Sequence, residues 1–183
     1  MKKVDKDFLN KINDDDYVWY LCYGSNININ RLMIYINGDK KGRYAAGDGC
    51  KNKSKPVDSK PYIIRRAIYF AEHSGTWNGG VAFLNYRVRG KTYGKIYKVT
   101  KSQFLDIMKQ ENRFKAYDTL IYVGKYRKTP IFTFTALHKL QNMERPSKQY
   151  LTVIKRGIRS TYKRLSDKTI NNYIKRISNI KDK

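Results

Sequence analysis

Tyr23-Gly24-Ser25-Asn26, which ends the apolar run Val18-Trp19-Tyr20-Leu21-Cys22, is the stretch best equipped to do chemistry. A β-prone segment that breaks into Gly-Ser-Asn, with Arg31-Leu32-Met33 beyond, predicts a buried strand, a tight loop and a helix. Gly24 lets a ligand approach the backbone, and Ser25 and Asn26 offer a hydroxyl and an amide while being able to cap the helix. Free N–H groups at such a loop suit a carboxylate or a developing oxyanion. A capping loop carries the same letters, so these four residues do not decide alone. A second candidate is Glu111, which closes the stretch Lys101 to Gln110. That stretch has Phe104, Leu105 and Ile107-Met108 on one side and Lys101, Gln103 and Lys109 outside, the pattern of an amphipathic helix. A carboxylate at a helix C-terminus works against the dipole, and an acid there with no local need points to function. The plainer alternative is a solvated Glu paired with Lys109 or Arg113.

Three more segments follow in order. They are Gly75-Thr76-Trp77-Asn78-Gly79-Gly80-Val81-Ala82-Phe83-Leu84, then Tyr93 to Phe104 (beginning Tyr-Gly-Lys-Ile-Tyr-Lys-Val-Thr), then Gln110-Glu111-Asn112 with Tyr117. Pro146-Ser147-Lys148-Gln149-Tyr150, followed by Ile154 and Gly157, is a fifth. With the opening loop, this series resembles the gamma-glutamylcyclotransferase family over residues 17 to 165. That family carries a YGSN loop, a Trp-x-Gly-Gly-[IV]-Ala segment, a Gly-x-[VI]-[YW]-x-[IVM]-[TN] strand, a glutamate one helix later and a C-terminal tyrosine.

The resemblance implies a reaction. A γ-glutamyl amide cyclises when its α-amine attacks its own side-chain carbonyl, releasing 5-oxoproline and an amine. The nucleophile is intramolecular, so holding the substrate folded supplies much of the rate. The resemblance assigns both proton transfers to Glu111 as general acid/base. It implies substrate contacts from Tyr23, Gly24, Ser25, Asn26, Gly79, Gly80, Tyr117 and Tyr150, with loop amides on a carboxylate or oxyanion. It implies no metal and no organic cofactor. The chain departs from the pattern at Asn112, where the family usually has Gly; Asn tolerates the positive φ such a turn would need. Lys109, Arg113 and Lys115 also surround Glu111, and cations facing it would depress its pKa.

Composition opens two other readings. Net charge is +24, from 39 basic and 15 acidic residues, and residues 145 to 183 hold twelve Lys and Arg against Asp167 and Asp182. Such a surface attracts polyanions. One alternative is therefore a divergent member that binds or processes an anionic, nucleotide-like molecule, with Arg156 and Arg159 as anion-binding candidates; such a molecule could be an amino-acid-bearing signal and the protein a viral anti-defence one. The other is a nucleic-acid-binding module, for which Lys interleaved with sixteen Tyr could serve as a platform. Rich Lys, Ile, Asn and Tyr usage is also the coding bias of an AT-rich genome, which makes nucleic acid the weaker partner expectation.

The 183 residues suit one domain with a proper core. Cys22 and Cys50 do not make a disulfide framework, and His73 and His138 show no zinc spacing. Without a long apolar run, the expectation is a soluble protein with no membrane partner, cytoplasmic in a bacterium or a phage-infected bacterial cell. The reading along the chain is a polar leader over 1–16, a cyclotransferase-like domain over 17–165 and a basic helix or tail over 166–183. Strands are predicted at 17–23, 62–71, 79–88 and 92–99, a helix at 28–36, and a long loop at 38–60. A hairpin follows at Tyr117 to Tyr126 and Pro130 to Leu137, then helices at Pro146 to Arg164 and Asp167 to Ile180. Together these give an α+β fold, a mixed sheet flanked by helices, which the resemblance implies is closed into a small barrel. Glu72-His73 reads as an exposed strand end or a second acid/base pair, and Trp77 as a stacking ring or a core seal. Alternation lets only one of Arg65 and Arg66 face inward.

Overall fold

The computed structural model describes residues 1–39, 42, 47–112 and 117–179, the side chains of 139 and 140 excepted. Arg113 and Lys115, expected near Glu111, lie outside the described residues, as does part of the 38–60 loop. The elements are β1 (Lys2–Lys3), α1 (Asp7–Asn10), β2 (Tyr17–Cys22), a 3-10 turn (Ser25–Ile27), α2 (Ile29–Asn37), β3 (Asp58–Ile64), β4 (Ala67–Ser74), β5 (Gly79–Asn85), β6 (Thr92–Thr100) and α3 (Lys101–Glu111). They continue as β7 (Thr119–Tyr126), β8 (Thr129–Thr135), a second 3-10 turn (His138–Asn142), α4 (Lys148–Thr161) and α5 (Asp167–Ser178). The fold is α+β, with a six-stranded mixed sheet in the order β1-β7-β8-β2-β6-β3 and a separate β4-β5 hairpin.

β2 lies inside the sheet, antiparallel to β6 and parallel to β8, and five of its six residues are buried. A strand covered on both faces reads as a continuous apolar run, which Val18 to Cys22 is. The register then places α3. Thr100, the last residue of β6, stands opposite Tyr17, the first of β2. From there α3 runs back along the sheet for 11 residues, about 16 Å, which suffices to carry Glu111 to the loop leaving the far end of β2. The start of α3 is fixed by a capping box, in which Thr100 accepts from the Gln103 N–H and Gln103 accepts from the Thr100 N–H. Phe104, Ile107 and Met108 fall on its buried side.

Several expectations change. The strand predicted over 62–71 is two strands, because the chain bends at Arg65-Arg66; the Arg66 Nε donates to the Tyr86 carbonyl at 2.7 Å. β3 begins at Asp58, inside the expected loop. The leader is part of the fold: Lys2 and Lys3 pair with Tyr122 and Ile121, Leu9 is in the core, and Phe8 packs on Tyr122 and Phe132. α5 is likewise packed, with Ile170 and Tyr173 buried and the Tyr173 ring 4.8 Å from Tyr93. Among the described residues no backbone ladder closes the sheet into a barrel. The hairpin is joined to it instead by Thr135, whose hydroxyl accepts from the Leu84 N–H and donates to the Leu84 carbonyl, both at 2.9 Å. Among the described residues no helix is long and apolar enough to cross a membrane.

α4 rests on the 3-10 turn through Gly157, where a Cβ would meet the Asn28 N at 2.7 Å and the Ile27 carbonyl carbon at 2.9 Å. Gly157→Ala therefore has opposed effects. Helix propensity alone predicts a gain of about 1 kcal/mol, whereas overpacking against backbone costs about 1–3 kcal/mol. We expect a net loss of stability, read as a lower urea midpoint.

Candidate active site

The loop after β2 opens onto a cavity of about 740 Å³. Tyr23, Gly24, Ser25 and Asn26 line it, as do Glu111, Tyr117 and Tyr150. Tyr23 is tied down by its hydroxyl, which donates to the Phe134 carbonyl at 2.7 Å. Tyr117 does the same to the Ala82 carbonyl at 2.9 Å. The Tyr150 hydroxyl instead accepts from the Ala82 N–H at 3.2 Å. Its own proton is left for a ligand, because a phenol is one donor as well as an acceptor. α2 is capped by Asn28, whose side chain accepts from the Asn30 N–H at 3.0 Å, so Ser25 and Asn26 are not the caps. Gly24 has a φ of −109°, and close approach is what needs glycine there: a Cβ would sit 2.8 Å from the Tyr150 hydroxyl.

Asn26 turns toward Glu111 and donates from Nδ2 to Oε1 at 2.8 Å, while its own Oδ1 is buried without a hydrogen-bond partner among the described residues. A buried acceptor left open costs about 1–3 kcal/mol, and it belongs to a residue of the cavity wall. Burial pushes the Glu111 carboxyl above its ordinary range, and Arg31, Asn26 and Tyr35 partly offset this. The expected depression by Lys109 does not apply, since Lys109 is exposed and the cation acting on the carboxyl is Arg31. Asn112 has a φ of −91°, so it does not substitute for a glycine at positive φ. Burial also raises the phenols of Tyr20, Tyr23, Tyr35 and Tyr117 well above their usual value, and that of Tyr150 to about 12. The Cys22 thiol is raised as well, which removes it as a thiolate nucleophile.

Other sequence candidates fall elsewhere. Gly79 and Gly80 are not among the lining residues. They let the segment 144–147 lie against β5, where Cβ atoms would meet the Arg145 carbonyl oxygen at 2.8 Å and the Glu144 carbonyl oxygen at 2.2 Å. Their link to the site is indirect, since Ser147 at the end of that segment caps the helix bearing Tyr150. Arg156 and Arg159 are exposed on α4 and do not line the cavity, and Arg159 pairs with Asp167. Trp77 is a core seal, buried and tilted against Tyr150 at 5.0 Å, and it also lines the cavity. Glu72 and His73 reach the rim, and His73 Nδ1 lies 2.8 Å from Glu144 Oε1. A β-bulge between Ala71 and His73, with Glu72 at a φ of 58°, breaks the alternation that would turn the two side chains to opposite faces. Sequence reading missed Tyr20, Arg31 and Tyr35 as lining residues. The available signal was a charged residue beside Leu32 and Ile36 on the inner side of a short helix.

No protein-family profile matches the chain. Histone deacetylase 5 of Arabidopsis thaliana is 27% identical over 77% of this chain, and the chain spans 28% of that protein's length. Among solved structures, a gamma-glutamyl cyclotransferase superimposes with a TM-score of 0.63 at 16% identity, with 91% of each chain covered. An uncharacterised human protein, loc79017, gives 0.61 at 18% with the same coverage. YkqA from Bacillus subtilis gives 0.63 at 17%, covering 96% of this chain and 58% of its own. At these identities the likeness speaks for the backbone alone: the chain has the gamma-glutamyl cyclotransferase-like fold.

Proposed function

We propose that the chain is a cyclotransferase acting on γ-glutamyl amides, with Glu111 as the acid/base. The observation that carries this reading is a carboxyl enclosed in an aromatic cavity and held by Asn26, with its pKa raised by burial. A raised carboxyl is a stronger base than an ordinary glutamate and readily returns the proton. In the reaction, Glu111 takes a proton from the substrate's α-ammonium and the freed amine attacks the δ-carbonyl. The carbonyl π pair moves onto oxygen, which the Tyr150 hydroxyl is placed to meet. As the oxyanion collapses, the C–N bond breaks, Glu111 gives its proton to the departing nitrogen, and the second proton still held by the attacking nitrogen passes to the same amine, which leaves as an ammonium. No water is consumed, and the products are 5-oxoproline and an amine. The readings built on an anionic ligand or nucleic acid rest on net charge, and their candidate contacts, Arg156 and Arg159, stand outside the cavity.

Glu111→Gln keeps the shape and removes the base. Release of 5-oxoproline from a panel of γ-glutamyl amides should fall by about 100-fold or more. Retained turnover would end the assignment.

The same carboxyl predicts a pH dependence of stability. Its folded-state pKa lies above its unfolded value, so the folded protein holds the proton more tightly. The resulting stabilisation is complete below the unfolded pKa and is lost as pH rises through the folded one. Glu111→Gln resembles the protonated form at every pH. Its Tm relative to wild type should therefore rise between about pH 4 and pH 8, as read by calorimetry.

A further inference from the structure

α2 buries Arg31 and Tyr35, one turn apart, together with Leu32 and Ile36. Arg31 is only 6% exposed. A guanidinium withdrawn from water is a large unfavourable term unless charge or hydrogen bonding answers it. Its centre lies 4.8 Å from the Tyr35 ring and 5.3 Å from the Trp77 ring, which cover it with π faces. One edge is engaged: Nη2 donates to the Tyr35 hydroxyl at 3.2 Å. That hydroxyl lines the same cavity as Glu111, and the Arg31 charge and the Tyr35 phenol both pull the carboxyl's pKa down against the effect of burial. The carboxyl is thus reached by Asn26 on one path and, on the other, by a phenol that leads back to a positive charge.

Glu111 needs such a charge. It is the last residue of α3, where the helix carbonyls oppose a carboxylate, and its enclosure opposes ionisation again. Tyr20 and Cys22 from β2, Tyr23 from the loop, Tyr117, and Tyr150 from α4 also face it, and burial holds every one of these neutral. Asp39, Glu72 and His73 complete the titratable groups of the described cavity wall. Among the described lining residues, Arg31 is the one arginine or lysine.

We propose that Arg31 is a positioning residue which, acting through the Tyr35 hydroxyl, keeps the Glu111 carboxyl ionised and in place for proton transfer. This rests on Glu111 being the acid/base of the proposed reaction. The coupling itself is a property of the ligand-free protein. The planar fork lodged between two rings is a shape lysine does not reproduce.

The test is a 13C NMR titration of the Glu111 carboxyl in ligand-free protein, alongside the pH profile of kcat/KM on a γ-glutamyl amide. Arg31→Met should move the titration upward and the acid limb of the profile with it. At pH 7 kcat/KM should drop about tenfold or more, with recovery as pH rises and kcat affected more than KM. Tyr35→Phe should shift both in the same direction by less, and Arg31→Lys should restore the titration only in part. If Arg31→Met does not fold by circular dichroism, Tyr35→Phe, which keeps the ring, decides. An unchanged titration in a folded variant overturns the proposal, and so does activity lost equally at every pH. A shifted titration in a protein that cyclises no γ-glutamyl amide would refute the cyclotransferase reading and leave the coupling standing.

Discussion

The 2.8 Å hydrogen bond from Asn26 to Glu111 joins the far end of a central strand to the far end of a helix. It exists because β6 and α3 traverse the sheet in opposite directions, and because the capping box at Thr100 sets where the return begins. One fewer residue in α3 would rotate the carboxyl about 100° away from the loop. The aromatic wall around it, Tyr20 stacked on Phe134 and Phe104 against Phe132, is the part of the core that makes this return path rigid. Packing and chemistry therefore share the same side chains.

The protein also separates its charges. Its large positive excess is carried on solvated faces, while the described cavity wall is built mainly from phenols, amides and apolar groups. Phenols suit such a wall, since they stay uncharged at any physiological pH and still orient a dipole. Tyr150 shows this, its hydroxyl oxygen accepting from the Ala82 amide while the side chain lines the cavity.

Much of this was legible in the residues. The Val18–Cys22 strand, the Lys101–Glu111 helix and the hairpin around Arg127 have strong periodicity or turn chemistry. Glu111 stood out because its type conflicts with local need, and the loop residues through their place in a series of segments that resembles a known family. What escaped has a common physical basis. Gly79 and Gly80 looked like ligand contacts, but glycine signals close approach without saying whether ligand or backbone approaches, and here it is the 144–147 backbone. Arg31 was hidden because charge predicts exposure, and only tertiary packing reveals a buried guanidinium. Arg156 and Arg159 erred the other way, their charge read as function although α4 turns them to solvent. The leader read as polar because its apolar side chains, Met1, Val4, Phe8, Leu9 and Ile12, are scattered among charges and find their partners only in the folded core.

The Tyr150 hydroxyl meets the Ala82 amide across 68 residues of chain, and Asn26 meets Glu111 across 85. Contacts this distant in sequence close large loops and so are among the last to form. During synthesis the β2 loop emerges early, with Gly24 facing an empty space until α4 arrives. Until then the floor of the cavity is open, and the Trp77 ring has no Tyr150 to lean on. The cavity is therefore a late product of folding, and its completion reports that nearly the whole described chain has reached its place.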